Sequence, residues 1–154
     1  MNTARSLLLA IAATVAVVCE EPALARDEIA GPVAAKVMKV VDGDTVTVEA
    51  AIWIGQRLTV NARIRGIDAP EIRGKCDVEK RLAEDARHHL EILAATEPVW
   101  LSRIADDKYA GRVVADVTLA DGTDIGTEMI AAGYARAYDG GSRRSWCTAD
   151  LTAS

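Results

Sequence analysis

Residues 45–67 contain two alternating segments joined by a turn, TVTVEAAIWIGQRLTVNARIRGI. In residues 45–50 every second residue is Val or Ala, and the residues between them are polar. Successive side chains of a strand point to opposite faces, so this period of two predicts a half-buried strand. Residues 57–67 repeat the pattern after a turn at Gly55 and Gln56. The residues expected to point inward are Val46, Val48, Ala50, Leu58, Val60, Ala62 and Ile64.

The flanking segments predict a small barrel. A β-rich segment, residues 33–41, precedes the pair, and a helix is predicted over residues 78–95 with Asp77 as its N-cap. Strands at 99–104 and 112–119 and a short helix at 125–132 follow. The order is therefore βββαββα. Five strands with a helix after the third are the threading of an OB-type Greek-key barrel, so the expected fold class is a β-barrel with helices (α+β), a five-stranded OB-fold barrel. The three Trp residues, Trp53, Trp100 and Trp146, are expected to pack in the core or brace it.

The composition indicates one folded domain. The chain has 154 residues, 50% hydrophobic and 27% charged, which is too apolar for a disordered chain. Its net charge of -5 argues against a protein that coats nucleic acid through a uniformly basic surface. A local basic site remains compatible with that charge.

The N-terminus predicts export. Residues 1–25 are typical of a signal peptide, with Arg5 before the uncharged stretch 7–18 and small residues at Ala23 and Ala25. The alternatives are a membrane anchor, for which the run falls short of about 20 residues, and a lipid on Cys19, where Val18 stands in place of a small residue. We expect a periplasmic or secreted protein without stable membrane insertion, whose residues 26–32 form a flexible leader.

Two cysteines remain after the predicted cleavage, Cys76 and Cys147. An even pair in an oxidising compartment is most simply a disulfide, here one that closes a loop of 71 residues. Two free buried thiols are the alternative. The disulfide would tether residues 141–154 as a C-terminal tail.

Three polar clusters follow or join the predicted strands. They are residues 42–45, Arg63 with residues 66–71, and residues 107–112. Each alone is typical of a solvated turn, but at one end of a barrel they would meet. Carboxylates about 4 Å apart repel by about 4 kcal/mol at an effective dielectric near 20, which a divalent cation would offset.

The types of residue in these clusters indicate the chemistry. Oxygen donors without His or Cys favour Ca²⁺ or Mg²⁺ over zinc. Arginines beside such an ion suit hydrolysis of a phosphodiester. Other chemistries lack their patterns: His88 and His89 have no HExxH spacing, and the sequence has no GxSxG, phosphate-binding Gly loop or CxxC.

The motifs resemble the staphylococcal nuclease (thermonuclease) family. They are VVDGDTVTV at 40–48, Arg63 before GIDAPE at 66–71, DKYAGR at 107–112, ADG at 120–122 and AAGYARAY at 131–138. The likeness covers residues 33–138, within a predicted domain of 33–140. It implies an OB barrel and Ca²⁺-dependent endonucleolytic cleavage of DNA and RNA that leaves 3′-phosphate ends.

The resemblance also implies an ion site. Asp44 and Asp68 match the two carboxylates that bind calcium, and Ala69 stands where the family contributes a main-chain carbonyl. Asp42 would lie one layer outside the ligands. Ala69 replaces a threonine, which a carbonyl ligand tolerates.

The remaining matches concern the substrate. Glu71 matches the glutamate that activates or positions the attacking water, and Arg63 and Arg112 match the pair that clamps the scissile phosphate. The resemblance assigns further substrate contacts to Lys108, Tyr109 and Tyr138.

The sequence departs from the family pattern at three further places. Two residues, Ala110 and Gly111, separate Tyr109 from Arg112 where the family member compared has one. The basic loop is shortened to residues 73–75, which predicts weaker and more salt-sensitive binding of long nucleic acid. The chain also ends where a third helix would begin, and the disulfide is expected to replace that helix's packing.

The competing interpretation is an exported OB-fold module that binds nucleic acid or protein without cutting it. Such a module is expected to have lost an acid or an arginine of the site. This sequence retains all of them, namely Asp44, Arg63, Asp68, Glu71 and Arg112. We therefore predict a metal-dependent phosphodiester hydrolase, expected to be a monomer.

Overall fold

The computed structural model describes residues 28–95 and 98–147. The predicted signal peptide and residues 148–154 of the predicted tail lie outside these ranges. The strands are β1 (Glu28–Ile29), β2 (Val33–Asp42), β3 (Thr45–Trp53), β4 (Gln56–Ile64), β5 (Ile67–Asp68), β6 (Val99–Asp106), β7 (Arg112–Thr118) and β8 (Arg136–Ala137). The helices are α1 (Asp77–Ala94) and α2 (Ile125–Ala131).

Five strands close into a barrel. β2, β3 and β4 form an antiparallel meander, β4 pairs in parallel with β7, and β6 pairs antiparallel with both β7 and β2. This is the OB fold, and the fold-class prediction is confirmed. The short strands β5 and β8 pair beside the barrel.

Two residues of the predicted leader, Glu28 and Ile29, form the short strand β1. Glu28 and Ile29 pair with Ala105 and Ile104 of β6. Backbone pairing to an edge holds this segment in place, although its side chains are exposed.

The barrel interior follows the predicted alternation. Val46, Val48, Ala50, Ala62 and Ile64 are all buried. Leu58 is different: it is 50% exposed, although the pattern predicted that it would point inward.

The tip of the β3–β4 hairpin explains that exception. Ala50 is the last residue of β3 paired with β2, so beyond it the hairpin has no third strand to pack against. Trp53 lies at this tip and is 74% exposed, so its prediction as a core residue was wrong. Trp146 is buried and Trp100 is partly buried.

Helix α1 lies against the barrel beside the loop between β2 and β3. It begins one residue earlier than predicted, because Cys76 rather than Asp77 is the N-cap and its sulfur accepts a hydrogen bond from the Glu79 amide at 3.4 Å. Ala83, Ala86, Leu90 and Ala94 form its buried apolar face. Over the residues that the structure covers, no helix has the length and apolar character needed to cross a membrane.

Candidate active site at one end of the barrel

The β2–β3 loop and the end of β4 place the first buried carboxylate. Thr45 and Arg63 are directly opposed in the β3–β4 pair, and the Ile64 amide donates to the Asp44 carbonyl at 2.8 Å. Asp44 is only 3% exposed. Burial of an ionised carboxylate is costly unless it is paired, so its partners decide whether this arrangement is stable.

Arg63 balances the charge of Asp44. Its Nη1 forms an ion pair with Asp44 Oδ2, and the Thr45 hydroxyl donates to Asp44 Oδ1 at 2.8 Å. The Nη2 of Arg63 donates to the Ile67 carbonyl at 2.9 Å. One guanidinium thereby joins the β2–β3 loop to β5.

Asp68, Ala69 and Glu71 meet a guanidinium from the C-terminal region. The Nε of Arg143 pairs with Asp68 Oδ1 and its Nη1 with Glu71 Oε1, while Nη2 donates to the Ala69 carbonyl at 3.2 Å. Burial lowers the pKa of Arg143, but its hydrogen bonds to Glu71 and Asp68 outweigh that effect and raise it above its ordinary value. Oxygens of three residues thus converge on one positive group.

Trp146 holds the other oxygen of Asp68. Its indole Nε1 donates to Asp68 Oδ2 at 3.1 Å, and Asp68 is 3% exposed. The guanidinium of Arg136 lies 3.7 Å from the centre of the Trp146 rings. Both oxygens of this carboxylate are therefore oriented by residues of the C-terminal region.

Asp42 has a pKa far above the ordinary value of an aspartate. Burial, the negative charge of Asp44 and, more weakly, that of Glu71 raise the pKa of Asp42 to about 7. The Asp44 amide donates to Asp42 Oδ1 at 3.3 Å, which opposes the rise. Asp42, Asp44 and Glu71 therefore create a region of negative potential that the nearby arginines do not fully neutralise.

A cavity of about 790 Å³ brings together the residues predicted to act on the substrate. Its lining includes Arg63, Glu71, Lys108, Tyr109, Arg112 and Tyr138. Asp68 lies instead at a neighbouring cavity of about 430 Å³, which Tyr138 also lines. Asp42 and Asp44 lie outside both linings. The predicted site residues thus gather at one end of the barrel, with the acids behind the arginines.

The longer turn before Arg112 still directs this side chain to the cavity. The Arg112 amide donates to the Tyr109 carbonyl at 3.3 Å, and Gly111 takes a φ of 77° that suits glycine. Arg112 pairs through Nε with Asp107 and lies 4.7 Å from the centre of the Tyr109 ring. The inserted residue is absorbed within the turn.

The two cysteines are placed as a bonded pair, with their Cα atoms 5.9 Å apart. Glu79 lies within 4.8 Å of both sulfurs, and in the described part of the chain this is the only group of three His, Cys, Asp or Glu residues so close together. A disulfide would use both sulfurs and leave none to bind a metal. The acids of the barrel end bind arginines instead: Arg63 pairs with Asp44, and Arg143 pairs with Asp68 and Glu71.

Sequence reasoning did not find Arg143, Arg136 or the contact of Trp146 with Asp68. Arg136 stands within the AAGYARAY run at 131–138, but that motif gave it no role, and no motif or periodicity marks Arg143 or Trp146. Arg143 is also 75 positions from Asp68. The only signal was the cysteine pair, since Cys147 bonded to Cys76 brings the tail near Glu71.

Comparisons with known proteins agree with this geometry. The profile of the family described as Staphylococcal nuclease homologue matches residues 61–151. An Uncharacterized endonuclease of Escherichia coli is 32% identical over 104 residues, which cover 68% of this chain. The chain spans 60% of that relative's length.

Proposed function

This chain belongs to the family of staphylococcal nuclease homologues, as its sequence motifs predicted, and we propose that it is a Ca²⁺-dependent endonuclease that hydrolyses DNA and RNA. The observation that carries the proposal is the shared cavity of Arg63, Glu71 and Arg112. Two guanidinium groups and a carboxylate around one cavity suit the hydrolysis of a phosphodiester, because negative charge builds up on the phosphate oxygens in the transition state.

The donor set fits a hard cation. The oxygens of Asp68, Ala69 and Glu71 already converge on one positive group. Asp44 is also buried, and Arg63 links its carboxylate to the carbonyl of Ile67, the residue before Asp68. Such carboxylate and carbonyl oxygens suit Ca²⁺, with Mg²⁺ as the other candidate. We propose that Asp44, Asp68 and the Ala69 carbonyl hold the ion and that Asp42 lies outside these ligands. Once bound, the ion would offset negative charge on the phosphate.

The protein's own side chains would carry out the remaining steps. Arg63 and Arg112 bind the phosphate oxygens, and Glu71 takes a proton from the attacking water. The water oxygen bonds to phosphorus as the bond from phosphorus to the 5′ oxygen breaks. The 5′ oxygen takes up a proton from solvent, so the products are a 3′-phosphate and a 5′-hydroxyl.

The cavity wall provides contacts for the flanking nucleotides. Tyr109 is exposed and has two cations against its ring, with Lys108 Nζ 5.2 Å from the ring centre. Tyr138 lines both cavities and donates its hydroxyl to the Gly141 carbonyl at 2.7 Å. Aromatic and basic side chains of this kind bind single-stranded nucleic acid with little sequence preference.

We also propose that the protein is exported, to the periplasm or out of the cell, and that Cys76 and Cys147 form a disulfide. The N-terminal sequence and the placement of the two sulfurs support these two points. A monomer is proposed as the active form.

The test is cleavage of single-stranded DNA by the purified full chain, with Ca²⁺ or with a chelator. Glu71→Gln should abolish most of the cleavage, because an amide does not accept the proton of water. Glu49→Gln is the matched control, since Glu49 pairs with Arg57 at 3.6 Å on the β3–β4 hairpin and does not line the cavity. Wild-type protein that binds DNA but leaves it intact with Ca²⁺ would favour the non-cutting OB-fold module.

A further inference from the structure

Residues 139–147, which we call the C-terminal strap, pass over the acidic end of the barrel. Arg143 projects from the strap onto Asp68 Oδ1, the Ala69 carbonyl and Glu71 Oε1. Two of these oxygens belong to residues that the proposed function assigns to the cation. The Arg143 guanidinium and a divalent ion compete for these oxygens, because both are positive, both draw on the oxygens' lone pairs and they repel each other at this distance.

We propose that Arg143 is a built-in competitor of the divalent cation. Its guanidinium occupies the oxygens of Asp68 and Ala69, and the cation binds only when the side chain leaves them. This inference rests on the proposed function, because it takes the cation ligands from there.

The strap is anchored beyond Arg143. Trp146 is buried and donates to Asp68 Oδ2, Arg136 stacks on its rings and donates to the Ser145 carbonyl at 3.2 Å, and Cys147 is placed to bond to Cys76. These contacts keep the backbone of the strap beside the site.

The Arg143 side chain is more exposed than Trp146. Its side chain is 38% exposed, and Arg143 lines the 790 Å³ cavity as well as contacting the acids. Rotation of an exposed side chain is fast and does not require the strap to detach. Trp146 can then continue to hold Asp68 Oδ2 while Arg143 releases Oδ1. The strap therefore combines a fixed positioning contact with a displaceable one.

Arg144 provides a matched control. It has the same charge and lies next in the chain, but it lines the 430 Å³ cavity rather than the 790 Å³ one. Arg143→Ala and Arg144→Ala change the net charge equally, so any general electrostatic effect on cation binding is common to both. Only Arg143→Ala removes a group from the oxygens of Asp68 and Ala69.

The experiment is calorimetric titration of Ca²⁺ into the wild-type full chain and the two variants, without nucleic acid. Arg143→Ala should lower the Kd for Ca²⁺ by about tenfold or more relative to Arg144→Ala, since it removes a competitor whose coupling to the ion is of the usual size between linked sites. Arg143→Gln, which keeps most of the side chain, is the second variant if Arg143→Ala unfolds, and it should shift the Kd in the same direction.

Equal Ca²⁺ affinities of the Arg143 and Arg144 variants, or weaker Ca²⁺ binding after loss of Arg143, would overturn the proposal that Arg143 competes with the cation. Failure of all the proteins to bind Ca²⁺ would overturn it as well. Parallel assays of DNA cleavage separate it from the proposed function. Tighter Ca²⁺ binding by Arg143→Ala without cleavage by any protein supports the competitor and rejects the nuclease. Equal Ca²⁺ affinities of the Arg143 and Arg144 variants, together with DNA cleavage by the wild type, would reject competition by Arg143 and support the nuclease.

Discussion

Asp42 and Asp44 show how neighbouring acids of one loop differ. Asp44 has Arg63 and Thr45 as partners, whereas Asp42 accepts a hydrogen bond from the Asp44 amide and faces the negative charges of Asp44 and Glu71. Burial and the charges of its neighbours therefore penalise the ionised form of Asp42. The cation-free protein reduces that cost by holding a proton there.

The raised pKa of Asp42 predicts a pH dependence of stability. Its value in the folded protein is about 7, against 3.8 as the ordinary value, so between these pH values the folded state binds more protons than the unfolded state. Stability should therefore fall as the pH rises from about 4 to 7, with the loss complete above pH 7. The measurement is the Tm in chelator across this range, and Asp42→Asn should show a shallower fall than the wild type.

Other titrating groups are common to both proteins, so the difference between their Tm curves isolates Asp42. Superimposable slopes for Asp42→Asn and the wild type would show that Asp42 ionises normally in the fold.

At the scale of elements, Gly43 sets how closely the β2–β3 loop packs on α1. A Cβ at this position would lie 2.7 Å from the Cβ of Ala86 and 2.8 Å from the Cβ of Ala69. Neither alanine has a flexible side chain that could move away. The loop that carries Asp44 therefore depends on a residue without a side chain.

Gly43→Ala should destabilise the fold by about 1–3 kcal/mol, because overpacking forces the loop and the helix apart. The measurement is the free energy of unfolding in urea. Gly141→Ala is the control, since a Cβ there meets only Asp139 Oδ1, at an ordinary contact distance of 3.4 Å, and should change stability by no more than about 0.5 kcal/mol. Equal stability of Gly43→Ala and the wild type would contradict the close packing.

The elements were predictable where one local pattern determines them. Val46, Val48 and Ala50 alternate because one face of β3 is the barrel interior. The predictions for Leu58 and Trp53 were wrong because burial at the hairpin tip depends on where β2 stops pairing with β3. The sequence of the hairpin alone does not indicate that position. Tertiary context decided these residues.

At the scale of the whole molecule, the proposed Cys76–Cys147 disulfide would join the C-terminal strap to the start of α1. In the chain-entropy account, a link between residues 71 positions apart stabilises the fold by about 4 kcal/mol.

Reduction of the purified protein should lower its Tm by at least several degrees, because each kcal/mol lost shifts the Tm by about 4 °C in a domain of this size. Scanning calorimetry with and without reductant measures the shift. The Cys76→Ser, Cys147→Ser double variant should have the Tm of the reduced wild type, and addition of reductant should not change that Tm. An unchanged wild-type Tm after complete reduction would contradict the link.

The candidate site was predictable from its short sequence motifs, whereas the contacts of the C-terminal strap were not. Asp44, Asp68 and Glu71 stand in short runs whose residue types indicate their chemistry, and the register of the barrel brings those runs together. Arg143 carries no such signal. Its contact with Asp68 depends on the path of the strap, which only the assembled molecule defines.

In the proposed reaction, Arg63, Glu71 and Arg112 act together on one phosphate. The most direct measurement is the single-turnover rate of DNA cleavage at saturating Ca²⁺ for Arg112→Ala beside Arg57→Ala, an exposed arginine paired with Glu49. Arg112→Ala should lower the rate by about 10³-fold or more, as loss of an arginine from phosphoryl-transfer sites does, and Arg57→Ala should retain it. A rate for Arg112→Ala within about tenfold of the wild type would contradict the account.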